Sequence, residues 1–284
     1  MSSVSQTVLH LPAGTRWDQP RQLVFQGDKD CRRKLHVTLE AGASAQVIVC
    51  DYGASAGDNL SRQTEQEVEI HLGPGASLEY YDIEESGEDC RRSSHITVRQ
   101  AEASNLLLHA VTLHNGHTQN HYRIDIEGER ADCAFFALAV LDNEQRVETH
   151  TRVVHATPRS KSHELVKSVL RGQASSVFNG HILVAPGAEK THAGQTNRSL
   201  CLSPTARASS SPQLEIYADD VHCSHGMSAG QLDHDALFYM RSRGIPHHQA
   251  LLLLSIAFIA DILNTIRIDT LKERIRDLVE KHFH

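Results

Sequence analysis

The 284-residue sequence has few aromatic side chains, because one Trp, six Tyr and seven Phe make up 5% of the chain. Basic residues are also in the minority: 28 Lys and Arg stand against 35 Asp and Glu, for a formal net charge of −7. A nucleic-acid-binding protein ordinarily combines a basic stripe with aromatic rings on which bases stack. The composition therefore argues against a nucleic-acid partner, whereas 40% hydrophobic residues suffice for a buried core.

The sequence also lacks a C-x-x-C pair, although it contains six cysteines: Cys31, Cys50, Cys90, Cys133, Cys201 and Cys223. Residues 1–20 lack the basic start and apolar run of a secretory signal. Both absences favour free thiols in a reducing, cytoplasmic compartment. The longest apolar run, 250–260, is interrupted by Ser255 and is about half of the ~20 residues that a membrane-spanning helix needs. We therefore expect no membrane span.

Helical periodicity is nearly absent between residues 22 and 217, where apolar and polar residues alternate in short runs. Such runs occur at 35–39, 68–72, 95–98, 122–126 and 147–150. This alternation is typical of β-strands with one buried face.

A corner sequence recurs between these runs. Leu39-Glu40-Ala41-Gly42-Ala43-Ser44 has counterparts at 72–77 and 184–189, and degenerate copies lie at 98–101 and 126–129. A repeated unit of two strands and two turns predicts an all-β core, a β-solenoid over residues 22–232, preceded by an N-terminal segment of residues 1–21. A large β-sandwich is the alternative, since its strands are also short and separated by turns.

The pattern changes at residue 233, where we expect a C-terminal α-helical domain of residues 233–284. Asp233 is suited to cap a short helix that Gly244 ends, and Pro246 suits the first turn of the next helix. That helix, 247–268, is apolar nearly all round, so part of it should be covered from outside the helical unit. Thr270-Leu271-Lys272-Glu273 has the form of a capping box for a third helix.

Three short motifs have the wrong surroundings for the chemistry they resemble. Residues 226–230 fit G-x-S-x-G, but that nucleophile elbow needs alternating strands and helices around it. Residues 187–191 resemble a phosphate-binding loop, yet they lack its second glycine and a following helix. His114, His117 and His121 are close in sequence, but their polar stretch favours a solvated loop over a metal site.

Cys223 and His225 form a more specific pair, since positions i and i+2 of a strand face the same way. A thiolate beside an imidazole suits iron, iron–sulfur species or zinc, and Asp219 and Asp220 add negative charge upstream. Two ligands do not complete a metal site. The pair therefore predicts either a half-site that a partner completes or a purely structural role.

The residues around this pair resemble the SufB/SufD family of iron–sulfur cluster assembly proteins. The similarity covers residues 212–226, 230–233, 236–239 and 242–245. Upstream it includes Phe178-Asn179-Gly180, Pro186-Gly187-Ala188, Lys190-Thr191 and Gln195-Thr196-Asn197. The chain is closest to SufD, because Cys-Ser-His-Gly at 223–226 is a SufD-type signature. Asn197 also stands where SufB carries its sulfur-accepting cysteine.

This resemblance implies a right-handed parallel β-helix with a C-terminal α-helical domain. It also implies a non-enzymatic scaffold subunit of the SUF system, which pairs with SufB and docks the ABC-type ATPase SufC through the C-terminal helices. No cofactor would be bound by the chain alone, and a transient iron–sulfur cluster or iron would form at the shared interface. By motif, His225 matches the interface histidine implicated in cluster assembly and Cys223 its neighbouring cysteine, a metal half-site.

The sequence departs from a typical SufD in two respects. It is shorter, so we expect much of the family's N-terminal helical region to be missing, and Met227-Ser228 replaces the usual Ala-Thr. The isolated chain could form a homodimer. The alternative function is a free-standing metal-binding or thiol enzyme that uses Cys223 and His225, which would need a full ligand set or an activated nucleophile within one chain.

Overall fold

The computed structural model describes residues 3–26, 30–53 and 62–283. Within these ranges, sixteen β-strands precede three α-helices. The strands are β1 (Ser3–Leu11), β2 (Arg21–Gln26), β3 (Cys31–Leu39), β4 (Ser44–Tyr52), β5 (Arg62–Leu72), β6 (Ser77–Glu85), β7 (Cys90–Gln100), β8 (Asn105–His114), β9 (His117–Ile126), β10 (Asp132–Leu141), β11 (Arg146–His155), β12 (Lys161–Leu170), β13 (Ser175–Val184), β14 (His192–Cys201), β15 (Arg207–Ile216) and β16 (His222–Gln231). The helices are α1 (His234–Ser242), α2 (His247–Thr265) and α3 (Asp269–Lys281).

The strands alternate between two eight-stranded parallel sheets. The odd-numbered strands β1 to β15 form sheet A in chain order, and the even-numbered strands β2 to β16 form sheet B. The chain therefore winds through both sheets once per turn, which confirms the predicted β-solenoid and excludes the antiparallel sandwich. β1 lies within residues 1–21, the segment separated from the β-core in the sequence analysis, and it pairs with β3 in sheet A.

Residues of successive turns stack in register, apart from a shift between β6 and β8 at Glu84 and Glu85, so the inward positions of the strands form columns through the interior. One column of sheet A consists of the fully buried side chains Val37, Ile70, Val98, Ile124, Val153 and Ile182. β-branched residues suit such a column because their side chains pack well on a pleated surface. Each turn thus adds its own ~1.5–3 kcal/mol of apolar burial per such side chain.

The corners of the solenoid need a left-handed residue. Gly42, Gly75 and Gly187, which occupy the repeated corner sequence, have φ values of 67°, 66° and 83°. At the degenerate corners this conformation is taken by Ala103 and Arg130, with φ values of 54° and 58°. A non-glycine residue pays roughly 1–2 kcal/mol there, which explains why glycine recurs at these corners.

The helices begin and end largely as the sequence predicts. The side chain of Asp233 caps α1 by accepting hydrogen bonds from the backbone N–H of Asp235 and Ala236, and Gly244 follows the helix with φ 86°. α2 ends at Thr265, three residues before the predicted end. The capping box at 270–273 is wrong, because α3 already begins at Asp269 and Thr270 lies inside its first turn.

α2 and α3 cover the outer face of sheet B. Their buried residues Ile259, Ile262, Leu263, Leu271, Ile275 and Val279 share one apolar cluster with Tyr81, Leu107, Phe136 and Leu138 of the sheet. This confirms that the apolar second helix is covered from outside the helical unit. α2 is also long and apolar enough to cross a bilayer by length and composition alone, a test that a helix buried in a protein core passes equally.

Candidate functional site at the open end of the solenoid

β15 and β16 are the last strands of their sheets, and each is hydrogen-bonded to one neighbouring strand only. We call the free edges of these two strands the open end. β14 alternates between buried and more exposed residues, whereas nearly every residue of β16 is exposed. The open end therefore presents unpaired backbone groups together with side chains that would be interior in any earlier turn.

Cys223 and His225 both lie on β16 and point toward the interior side of the solenoid. Cys223 is in register with Ala193 of β14, and His225 with Gln195. Ala193 and Gln195 are buried in the interior, and in-register parallel strands direct paired side chains to the same face. The predicted same-face pair is thus present at the open end, with a half-buried Cys223 and an exposed His225.

Burial is the main influence on the Cys223 thiol. It raises the pKa of Cys223 above its ordinary value, and a hydrogen bond with the backbone of Ala193 acts in the opposite direction. The thiolate is the metal-ligating form, so a metal must displace the proton as it binds. Cys223 alone is therefore expected to bind a metal ion weakly.

The column that ends at His225 changes character along the solenoid. Its members are Val47, Tyr80, Leu108, Phe135, Glu164, Gln195 and His225. The first four are apolar or aromatic, and the last three, nearest the open end, are polar. A polar lining thus replaces the apolar core in the turns below His225.

Glu164 and Gln195 are fully buried and hydrogen-bonded to each other, with Nε2 of Gln195 donating to Oε2 of Glu164. Burial raises the pKa of Glu164 to about 7, against the lowering effect of hydrogen bonds from Gln195 and from the hydroxyl of Thr151. Gly180 of the opposite sheet makes room for this pair, since a Cβ at that position would lie 2.2 Å from Nε2 of Gln195. Oε1 of Gln195 is also buried, without a hydrogen-bond partner.

Sequence reasoning missed Glu164 and Gln195 as neighbours of the candidate site. In an alternating strand, polar residues are ordinarily assigned to the outer face, which hides a polar interior position. Counting four residues onward from the buried corner positions Ala43, Ala76, Ala131, Ser160 and Thr191 would have placed both residues in the inward column.

The weaker motifs do not form sites. Residues 226–230 lie within the straight strand β16, and residues 187–191 connect β13 to β14 without a helix. His114, His117 and His121 do not converge. His117 is paired with Glu148 at 3.2 Å, whereas His121 stacks between His95 and His150.

Across residues 3–26, 30–53 and 62–283, no three His, Cys, Asp or Glu side chains are grouped to hold a metal ion. All six cysteines are free thiols, and Cys50, Cys90 and Cys133 are buried. Cys223 and His225 are therefore a pair of donors on an exposed edge, without a third ligand among the described residues.

Comparisons with known proteins match the chain to iron–sulfur cluster assembly proteins. Residues 25–258 match the family model described as SUF system FeS cluster assembly, SufBD core domain. The chain is 31% identical to an iron–sulfur cluster assembly SufBD family protein of Synechocystis over 96% of this chain and 62% of that protein. It is 30% identical to the iron–sulfur cluster assembly protein SufD of Escherichia coli over 84% of this chain and 56% of that protein. The SufD of Bacillus subtilis is 36% identical over 49% of this chain and 32% of that protein.

The chain spans 62% and 56% of the length of the first two of these relatives. The matched residues include the solenoid from β3 onward, the Cys223–His225 strand and α1. This chain belongs to the SufBD family of iron–sulfur cluster assembly proteins.

Proposed function

We propose that this chain is a cytoplasmic, SufD-like scaffold subunit that pairs with a SufB-like subunit through the open end of its solenoid. The observation that carries the proposal is the placement of Cys223 and His225 on the exposed edge strand β16. An edge strand with free backbone groups is a template for pairing with a strand of another chain. The exposed apolar side chains Tyr217 and Met227 beside this edge support such a contact.

In this assembly the donor pair acts as half of a shared site. The imidazole of His225 and the thiolate of Cys223 suit iron or a nascent iron–sulfur cluster, which is the cargo of the complex. Further ligands would come from the SufB-like subunit. The similarity to relatives named SufD supports the assignment to iron–sulfur cluster assembly. In this proposal the chain holds and orients donor groups without an enzymatic step of its own.

The second contact that we propose is with a SufC-like ABC-type ATPase, through α1 and the first half of α2. Phe238 and Tyr239 of α1 are 74% and 59% exposed, and Leu253 of α2 is half exposed. α1 has no buried residue, whereas α3 and the second half of α2 supply buried residues to the apolar cluster on sheet B, against which Leu251 and Leu252 also pack partly. The exposed apolar side chains are therefore on α1 and on one exposed position of α2.

The test is cluster assembly by the complex reconstituted from this chain, a SufB-like subunit and a SufC-like ATPase. We expect His225→Ala to lower the rate of cluster formation with little change in the melting temperature, because His225 is exposed and packs little core. Ser224→Ala is the matched control, since Ser224 lies between the two donors on the opposite face of β16. Full assembly by the His225→Ala complex would refute the proposal.

Cys223 is tested separately, because it contacts the interior. Cys223→Ala removes the donor, and a lower rate at an unchanged melting temperature is expected if the thiol is a ligand. A large fall in melting temperature would instead assign Cys223 to packing. Tight metal binding by the isolated chain through both residues would favour the free-standing metalloprotein over the scaffold.

A further inference from the structure

The polar residues of the inward column, Glu164 and Gln195, are unfavourable for the stability of the fold. Burying a carboxyl group and a primary amide costs free energy unless all their hydrogen bonds are formed, and here Oε1 of Gln195 has no partner. The same column accepts Leu108 and Phe135 in the two preceding turns. Glu164 and Gln195 therefore occupy positions for which an apolar residue was geometrically available.

The Glu164–Gln195 pair is directional. A carboxylate only accepts hydrogen bonds, so an ionised Glu164 on β12 draws the amide nitrogen of Gln195 toward itself. The other end of the amide, Oε1 of Gln195, is buried without a donor. β16 is the strand that flanks β14 on the side opposite β12. Gly180 leaves space for this orientation.

His225 is the residue of β16 that pairs with Gln195 in the sheet register. Neighbouring strands are ~4.8 Å apart, so an imidazole at His225 can reach the amide oxygen by side-chain rotation. A histidine that ligates a metal through one ring nitrogen ordinarily donates a hydrogen bond from the other, which fixes the tautomer and the ring orientation. Gln195 supplies an acceptor of the required kind on the neighbouring strand, in register with His225.

We propose that Gln195 is a positioning residue for His225: its amide oxygen, oriented by Glu164, accepts the N–H of the ring and leaves the other nitrogen free at the open end. This inference rests on the proposed role of His225 in cluster assembly. The Gln195 side chain touches no cargo itself. It selects the tautomer whose lone pair points out of the solenoid.

The variant that tests this is Gln195→Met, which keeps the side-chain length and removes both ends of the amide. Asn197→Leu is the matched control, because Asn197 is also a buried amide on β14, faces the same interior and pairs with Met227 instead of His225. Glu164→Gln is a second, milder variant. It preserves the volume, but a glutamine can accept or donate, so the orientation of the Gln195 amide is no longer imposed.

The first measurement is the ¹⁵N spectrum of the His225 imidazole in the isolated full chain at pH 8, assigned by comparison with His225→Ala. We expect one tautomer in the unmodified protein and in Asn197→Leu, and a mixture in Gln195→Met and Glu164→Gln. An unchanged tautomer in Gln195→Met, or the same change in Asn197→Leu, would overturn the proposal. Since this measurement needs no partner, it stays decisive even if His225 proves dispensable for assembly.

The second measurement is the rate of cluster formation in the reconstituted three-protein complex. Loss of the hydrogen-bond partner of a ligating histidine typically costs 10- to 100-fold in metal affinity or activity, and we expect a decrease of about that size for Gln195→Met. Asn197→Leu should assemble clusters at the unmodified rate. A wild-type rate with a mixed tautomer would overturn the positioning role in assembly, as would equal losses in both variants.

Discussion

Lys167 of the solenoid and Asp261 of α2 form an ion pair across the junction between the β-core and the helices, with Nζ 2.7 Å from Oδ2. Their surroundings are unequal, because the Lys167 side chain is 4% exposed and that of Asp261 49%. The ammonium group of Lys167 also donates to the backbone carbonyl of Phe258 and lies 4.6 Å from the centre of its ring. A single buried cation thus holds the middle of α2 to sheet B.

We predict that Lys167→Met loosens α2 more than Asp261→Asn does. The first substitution removes the charged donor to the carbonyl of Phe258 and the cation beside its ring, and a hydrogen bond from a charged group contributes about 1.5–3 kcal/mol. The second affects a half-exposed carboxylate, and such pairs contribute roughly 0–1 kcal/mol. Urea unfolding would measure both free energies, and amide hydrogen exchange would locate the change in α2. Equal effects of the two variants would show that the pair acts only through its charges.

Arg92 is the centre of a buried ionic cluster in the N-terminal half of the solenoid. Its guanidinium group donates to both carboxylate oxygens of Asp82 at 2.8 Å and to Asp51 at 3.0 Å. Arg92→Met removes the cation and leaves these carboxylates buried, which costs about 3–5 kcal/mol. Arg32→Met is the control: Arg32 lies on β3, pairs with Glu65 and is half exposed, so its loss should cost less than about 1 kcal/mol.

The loss of unfolding free energy caused by Arg92→Met should depend on pH. Burial raises the pKa of the nearby Glu84, and Arg92 is the main influence that lowers it. Without the cation that pKa rises further, so the carboxyl of Glu84 is more easily protonated in the folded chain. The free energy of unfolding of the variant should therefore approach that of the unmodified protein as the pH falls. A difference in unfolding free energy that is constant with pH would contradict this explanation.

His109 makes the junction with the helices sensitive to acid. Its ring stacks on Tyr81 and Phe136, and Nε2 lies 2.8 Å from Oγ1 of Thr265. Burial lowers the pKa of His109 from 6.5 to about 3. The unfolded chain consequently binds a proton that the folded chain does not, and stability falls as the pH decreases from 6.5 toward 3.

We predict that His109→Phe flattens the pH dependence of unfolding below pH 6.5. One such histidine costs about 1.4 kcal/mol per pH unit within its window, and the phenylalanine variant avoids that cost. Thr265→Ala is the control, because it removes the hydrogen-bond partner and retains the titrating ring. It should lower stability at every pH without changing the slope. The measurement is urea unfolding at several pH values, and an unchanged slope in His109→Phe would refute the assignment.

The solenoid can be predicted from the sequence because it depends on patterns within single strands and single corners. Alternation places Val37 and Ile70 inside, and Gly42 and Gly75 meet the left-handed geometry of the corners. The interior site depends instead on stacking between turns, which period 2 alone does not reveal. Glu164 has the polar character of an outward residue, and its distance from the buried corner residue Ser160 and its register with Phe135 and Gln195 assign it to the interior.

The exposed surface of α1 is the part of the proposed ATPase contact that can be tested by substitution. Removing the helices altogether is an unsuitable test of ATPase docking, since α2 and α3 cover an apolar face of sheet B that includes Tyr81 and Phe136. A truncated chain would expose that face and aggregate. Point substitutions on α1 avoid this difficulty, because α1 has no buried residue.

Phe238→Asp should weaken binding of a SufC-like ATPase at least ~10-fold, since large aromatic residues dominate interface energetics and an aspartate would be desolvated there. The melting temperature should not change, because Phe238 is 74% exposed. Arg276→Ala is the control: Arg276 lies on the exposed side of α3, where it pairs with Glu280 at 3.3 Å, outside the proposed surface. Calorimetric titration of each variant with the ATPase measures the affinity. Unchanged binding by Phe238→Asp, or an equal loss in Arg276→Ala, would place the contact elsewhere on the chain.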